Sequence, residues 1–318
     1  MKNKKNKKFL ALFQMDPLEN LNFDSDTTIN LIKEAIDRNI DVWIGHPKNL
    51  SFSNENASIV AKKVFNSNLN FGKSKILKLN EIDFYFIRQD PPFDMSYLTN
   101  CYLLELHKSF NKKPFFVNDP SGIKNFTEKI FPLYFYKLMP KSCITEDEEI
   151  FLKMLQKYKR LVVKTLYNKG GEGVVKVSDE NKKKAINEFV EIKKKYSVPV
   201  VVQEFLDGVI YGDKRVILID GKPEGVINRI PKKGEFKANL HLGGEAKQTT
   251  LTKKEKKICM EIKKTLKKEK LFFVGIDLIN EKLTEINVTS PTGIVQILNL
   301  SGIDLAKKLW QKLLKKMT

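Results

Sequence analysis

The stretch Thr284-Glu285-Ile286-Asn287-Val288-Thr289-Ser290-Pro291-Thr292, with Asp277 eight residues before Glu285, decides how this chain is read. Leu271 to Ile279 is apolar apart from Gly275 and Asp277 and reads as a strand. Asn280-Glu281-Lys282 makes a short turn, and Leu283 to Val288 reads as the returning strand. Residues two apart on a strand share a face, so Glu285 and Asn287 project together, and across a hairpin Asp277 lies beside them. The bland alternative is a hairpin with a polar solvent face. Asp and Asn, however, are depleted in strands, and Glu to a lesser degree, so three in adjoining strands need another reason. A cluster of hard oxygen donors suits Mg²⁺, which takes one or two carboxylates and leaves its other positions to phosphate and water.

Three further segments point the same way. Lys164-Thr165-Leu166-Tyr167-Asn168-Lys169-Gly170-Gly171-Glu172-Gly173 separates the apolar runs Leu161–Val163 and Val174–Val177. It reads as a hairpin whose glycine-rich loop can bring backbone N–H groups against phosphate oxygens, with Lys164 as a point charge. No helix-opening Gly-Lys-Ser/Thr follows and the spacing of a dinucleotide fingerprint is missing. Val200-Val201-Val202-Gln203-Glu204-Phe205-Leu206 is a β-branched strand running into a polar pair and then an apolar pair. It fits a hinge that hydrogen-bonds an adenine edge, or equally a plain core strand. Arg215 and Arg229 lie in the adjoining strand-like runs. The chain has only five arginines, and Arg, unlike Lys, grips a carboxylate or phosphate in a bidentate fork.

In this order the parts resemble the ATP-grasp ligases. Met15-Asp16-Pro17-Leu18, Arg88-Gln89-Asp90-Pro91-Pro92-Phe93-Asp94 and Thr284–Thr292 narrow the resemblance, nearly end to end, to the bacterial glutathione synthetase family. It implies an α/β (α+β) chain in three parts: an N-terminal parallel-sheet α/β domain (1–120), an ATP-grasp lid subdomain with the glycine-rich loop (121–200), and a C-terminal antiparallel-sheet subdomain with the metal site (201–318).

The implied activity is ATP-dependent ligation of γ-glutamylcysteine to glycine through an acyl phosphate, giving glutathione, ADP and phosphate. Lys129 and Lys164 match the two phosphate lysines, Lys129 being assigned to the lid with Gly170 and Gly171. Gln203, Glu204 and Leu206 fall at the adenine hinge and Asp213 near the ribose. Asp277, Glu285 and Asn287 would hold Mg²⁺, with Mn²⁺ as an alternative ion. Arg215 and Arg229 would stabilise the acyl phosphate and tetrahedral intermediate. Arg88, Asn287, Ser290 and Thr292 fall on the peptide-substrate side, and a homo-oligomer, a tetramer, is implied.

The chain departs from the family in its loops. Thr165 and Tyr167 stand where Pro and an acidic residue are usual, Lys237-Ala238 where Arg-Gly is expected, and Gln89 where Lys is common. Two other readings remain beside the main one: a sister ATP-grasp ligase with a different acceptor, and a non-enzymatic, basic nucleic-acid-binding protein.

Composition bears on the last. Fifty-seven basic against 38 acidic residues give +19 over 318 residues. The excess is nearly all Lys, in dispersed patches such as Lys253–Lys257 and Lys263–Lys270, whereas nucleic-acid readers favour Arg with aromatic platforms. Solvated helix faces are the better reading, and no nucleic-acid partner is expected. At 42% hydrophobic residues the chain has a core, yet no apolar run reaches the ~18 residues of a membrane span. The basic Met1–Lys8 runs straight into a strand without an apolar signal region, and Cys101, Cys143 and Cys259 lack metal-ligand spacing. Together these place the chain in the cytoplasm with free thiols. His46 and His107 read as surface or helix residues, and His241 as a loop residue near substrate.

Overall fold

The computed structural model describes residues 8–317; most of the basic N-terminal stretch lies outside them. The first sheet follows the strand–helix alternation of the N-terminal sequence. β1 (Leu10–Met15), β2 (Asp41–Ser53), β5 (Phe84–Arg88) and β6 (Phe115–Val117) run parallel in the order β2-β1-β5-β6. Helix α1 (Thr27–Asp37) starts where Asp26 accepts the Ile29 N–H at 2.9 Å and ends before Asn39, whose φ of +59° is one that Asn tolerates. Helix α2 (Met95–Phe110) starts in the same way on Asp94.

The mostly parallel sheet is extended by a part that the sequence reading missed. β2, whose start Asp41–Ile44 already reads as a strand in the sequence, continues to Ser53 and turns into β3 (Asn56–Val64) and β4 (Phe71–Lys78), both antiparallel. β4 is an edge strand on which only Leu77 is buried. Its lysines hide the strand signal while guarding the open edge against pairing. His107 is a helix residue but fully buried, its Nδ1 accepting the Ala57 N–H at 3.2 Å.

After α3 (Pro120–Asn125) the chain runs to a 3₁₀ segment, Phe131–Leu138, before the second sheet. That sheet, in the order β7-β10-β8-β9, is antiparallel throughout and comprises β7 (Ser142–Thr145), β8 (Arg160–Thr165), β9 (Val174–Ser178) and β10 (Val200–Glu204). Helices α4 (Glu148–Tyr158) and α5 (Lys182–Tyr196) cover one face through stacked Phe151 and Phe189. Two sequence assignments shift here. The boundary expected at residue 200 falls on the first residue of a strand that lies inside this sheet, and the segment carrying Lys129 does not belong to it. Ile286 N–H donates to the Glu128 carbonyl at 3.1 Å, and Phe131 shares a core with Val274 and Ile286 of the third sheet. Lys129 therefore reaches the site from the floor, not from the lid.

The third sheet, in the order β13-β12-β11-β14-β15, contains β11 (Asp213–Ile219), β12 (Lys222–Ile230), β13 (Glu245–Gln248), β14 (Phe273–Ile279) and β15 (Lys282–Asn287), all antiparallel. Asn280 and Glu281, at φ +50° and +56°, make the two-residue turn whose twist suits a hairpin. A β-bulge between Asp277 and Leu278 shifts the register by one and puts Asp277 opposite Glu285 and Gly275 opposite Asn287. α6 (Lys253–Lys268), α7 (Ile294–Ser301) and α8 (Leu305–Lys315) complete this part.

Two features lock the first and third sheets together. Asn118 donates from Nδ2 to the Phe273 and Val288 carbonyls at 2.8 and 2.7 Å and accepts the Phe273 N–H at 2.7 Å. Helix α8 buries Trp310 completely against Phe84 and Phe86 of the first sheet, and its indole N–H donates to the Leu31 carbonyl at 2.9 Å. Trp310→Ala removes this plug and leaves a cavity. It is expected to destabilise the protein by about 3–5 kcal/mol, read as a fall in the denaturant midpoint.

Candidate active site

The three sheets and two loops enclose a cavity of about 1030 Å³. Its floor is the central part of the third sheet, where a buried charge network fixes the geometry. Arg215 and Asp277 face each other across β11 and β14, and the guanidinium grips the carboxylate with two bonds, Nε–Oδ1 at 2.5 Å and Nη2–Oδ2 at 2.9 Å. Arg229, opposite Asp213 on β12, bridges Asp213 Oδ2 at 2.5 Å and Asp277 Oδ2 at 3.0 Å. Burial pushes the Asp277 carboxyl up, but Arg215 and Arg229 outweigh it and hold Asp277 below the usual range. Asp213 has Arg229 as its one ion-pair partner among the described residues, and burial pushes its carboxyl up to about 6. The same two carboxylates overcome burial at Arg229 and raise it.

Next to this network stand the oxygens expected to hold a cation. Glu285 has one ion-pair partner among the described residues, Lys164 at 3.9 Å. Asn287 donates from Nδ2 to the Gly275 carbonyl at 3.4 Å, and this turns its Oδ1 free of that bond. Among the described residues no group of three or more His, Cys, Asp or Glu side chains forms a metal cage. Mg²⁺ needs less, because phosphate and water supply most of its six oxygens. Glu285 and Asn287 on one strand face fit that need. Asp277 fits it with the lone pairs that the arginines leave.

Lys164 and Lys129 flank these oxygens from opposite sides. Burial lowers Lys164, and Glu285 opposes the shift. Lys129 Nζ donates to the Asn168 carbonyl of the glycine-rich loop at 2.6 Å. That loop is drawn over the cavity. Its Tyr167 carbonyl accepts the Phe93 N–H at 2.9 Å, Lys169 pairs with Asp90, and its Gly171 carbonyl accepts from Lys237 Nζ at 2.9 Å. Gly170 and Gly171 adopt φ of +69° and +80°, and a Cβ on Gly170 would meet the His241 ring at 2.7 Å. His241 thus packs on the loop. Two positions that depart from the expected pattern, Tyr167 through its carbonyl and Lys237 through its ammonium, thus help to tie the loops down.

At the far end, Gln203 donates from Nε2 to Ser142 Oγ at 2.9 Å, and Glu204 and Phe205 N–H groups are taken by Lys141 and Arg160 carbonyls. The Leu206 N–H has no hydrogen-bond partner among the described residues, as a donor to an adenine edge requires. Every site residue expected from sequence lines the cavity except Arg88. Arg88 lies behind the wall, 3% exposed, with Nε on Thr28 Oγ1 at 3.0 Å. Its two Nη atoms have no partner among the described residues. Burial lowers Arg88, opposed by Asp26 and Asp90, which do line the cavity.

The sequence reading missed Glu128, which lines the cavity between Lys129 and Thr289. The signal was present: a second charge beside the phosphate lysine in Phe126-Thr127-Glu128-Lys129-Ile130-Phe131, a segment otherwise apolar enough to pack on a core. Burial raises its carboxyl, while Lys129 and the Thr289 hydroxyl oppose the shift.

Comparison with known proteins bears on both the fold and the family. Three-dimensional likeness extends to the D-cycloserine synthetase DcsG (TM-score 0.68, 12% identity, 98% of this chain and all of that one). It extends also to the ATP-grasp ligase PsnB (0.64, 14%, 97% and 99%) and to D-alanyl-alanine synthetase A from Vibrio cholerae (0.62, 17%, 97% and 98%). At such identities these neighbours establish the ATP-grasp fold alone. Sequence goes further. The chain is 38% identical over 307 residues to a glutathione synthetase of Prochlorococcus marinus, covering 96% of this chain and 98% of that one. It is 37% identical over 304 residues to one of Brucella melitensis, covering 93% and 96%. Residues 10–124 match the prokaryotic glutathione synthetase N-terminal domain, and residues 128–302 match the ATP-grasp domain of the same family. With Lys129, Lys164, Glu285 and Asn287 gathered under a glycine-rich loop, the chain belongs to the prokaryotic glutathione synthetase family of ATP-dependent ligases.

Proposed function

We propose that this cavity joins γ-glutamylcysteine to glycine with hydrolysis of ATP to ADP and phosphate. The observation that carries the reading is the convergence of two phosphate-seeking lysines, an oxygen pair fit for Mg²⁺ and a glycine-rich loop in one cavity. ATP lies between the second and third sheets. Its adenine meets the free Leu206 N–H at the hinge formed with Gln203 and Glu204, and its ribose lies near Asp213. Lys164 and Lys129 hold phosphate oxygens, so Lys129 exchanges the Asn168 carbonyl for a charged acceptor, a stronger hydrogen bond. Glu285, Asn287 and Asp277 hold Mg²⁺, or Mn²⁺ by the same hard-oxygen chemistry. When bound, the ion draws negative charge off the transferring phosphoryl group.

The cysteinyl carboxylate of γ-glutamylcysteine accepts the γ-phosphoryl group, and the glycine amine then displaces phosphate from that acyl phosphate. Such chemistry is mainly positioning and charge neutralisation. Arg229 retains a buried Nε without a partner among the described residues and, with Arg215, stabilises the developing oxyanion. Ser290, Thr292 and Asn287 border the peptide. The orphaned Nη atoms of Arg88 give it a reason to turn toward a carboxylate of that peptide, since a buried donor without a partner is unfavourable. The lysine tethers from Asp90 and to Gly171 keep water from the reacting carbonyl. A cytoplasmic setting, supported by three free cysteines, and a homo-oligomeric state, a tetramer, belong to the same reading. Light scattering checks the latter. No described helix is long and apolar enough to cross a membrane.

Two measurements test the reading. ADP release by purified protein should require Mg²⁺-ATP, γ-glutamylcysteine and glycine together, with glutathione identified by mass. Release with a different acceptor in place of glycine would reassign the chain to a sister ligase. Glu285→Ala should lower kcat by roughly 10²-fold or more and raise the Mg²⁺ concentration needed for half-maximal rate. Turnover and metal dependence equal to wild type would remove Glu285 from the ion.

A further inference from the structure

Glu128 is pinned at two points and left open at a third. Its carbonyl accepts the Ile286 N–H at 3.1 Å, and its Oε1 accepts the Thr289 hydroxyl at 2.6 Å. Oε2 has no hydrogen-bond or ion-pair partner among the described residues. The side chain lines both the main cavity and a small recess under Phe93 and Tyr167, on the peptide side of Lys129. The charges acting on it are Lys129 and Arg215, which attract, and Glu285, which repels.

The reaction proposed above requires an acceptor that the roles assigned so far do not supply. An amino acid arrives with its nitrogen as an ammonium, which has three N–H donors and no lone pair for attack. The cavity's lysines and arginines only donate. Among its other carboxylates, Asp277 is held by two arginines, Asp213 is held through Oδ2 by Arg229 with its Oδ1 assigned to the ribose, Asp90 is held by Lys169, and Asp26 by the start of α1. Glu172 accepts from the Tyr196 hydroxyl and Glu204 from the Lys141 N–H. Glu285 is assigned to the cation. Glu128 stands next to Lys129, fixed through its carbonyl and Oε1, with Oε2 free toward the cavity.

We propose that Glu128 receives the ammonium of the incoming amino acid on Oε2 and takes its proton. This rests on the ligase reading above. One proton passes from nitrogen to Glu128, leaving a lone pair. Nitrogen bonds to the acyl carbon, the bond from that carbon to the phosphate oxygen breaks with its electron pair going to phosphate, and the second proton leaves nitrogen for the departing phosphate. Thr289 is a positioning residue that keeps Oε2 turned to the cavity.

Hydroxylamine separates this role from a structural one, because it is largely unprotonated at neutral pH and captures an acyl phosphate as a hydroxamate without a base. In Glu128→Gln, which keeps the shape and the bond from Thr289, kcat/KM for glycine should fall roughly 10²-fold or more. Hydroxamate formation from γ-glutamylcysteine and ATP should fall by no more than about tenfold. Equal losses with both nucleophiles, or no loss with glycine, would overturn the assignment. If Glu128→Gln melts early, Glu128→Asp decides on the same ratio: glycine ligation should suffer more than hydroxamate formation. Wild-type protein that makes neither product would instead defeat the ligase reading itself.

Discussion

The bidentate grip of Arg215 on Asp277, with Arg229 spanning Asp277 and Asp213, is the constraint on which the site depends. Two guanidinium groups and two carboxylates sit below the cavity with little access to water. Breaking one member of such a set strands a buried charge, an effect of about 3–5 kcal/mol. The network needs three neighbouring strands in one register, because Arg215 must oppose Asp277 while Asp213 opposes Arg229. That register carries through β14 to β15, where Asp277 opposes Glu285. The positions of the Glu285 and Asn287 side chains are thus set by the same pairing that satisfies the buried charges.

The network also divides the labour of the acidic groups. Asp277 is held below the usual range by two arginines, whereas burial leaves Asp213, with one ion-pair partner, with a raised carboxyl. Its Oδ1 has no partner among the described residues, so a ribose hydroxyl or another donor would relieve an unfavourable state. The orphaned Arg88 Nη atoms and Arg229 Nε belong to the same class. Polar groups without partners cluster around this cavity, as expected of a site shaped for a charged ligand.

The loops use a second principle. Backbone carbonyls of the glycine-rich loop accept lysine ammonium groups from two other segments, Lys129 and Lys237, while Lys169 pairs across to Asp90. Phe93 and Tyr167 join the two walls by a backbone hydrogen bond with their rings close by. The residues that looked like departures from a family pattern therefore have partners, and the partners lie on other loops.

Much of this was legible in the sequence because it depends on short-range pattern. The alternation in Lys282–Asn287 put Glu285 and Asn287 on one face, the β-branched run before Gln203 marked a core strand, and Asp26 offered N-cap chemistry for a helix start. β3 and β4 were not legible, since a lysine-rich edge strand buries too little to show its period. Nor was it evident that Lys129 rises from the floor. Its segment has no regular structure, and its place follows from Phe131 entering the core of the third sheet. By itself, then, the sequence determined which side chains share a face, because local periodicity fixes that. Only the tertiary structure decided which of those faces meet, which carboxylates are claimed by arginines, and that oxygens of Asp213 and Glu128 are left free. Long-range pairing and competition for donors settle such questions, and neither leaves a local trace.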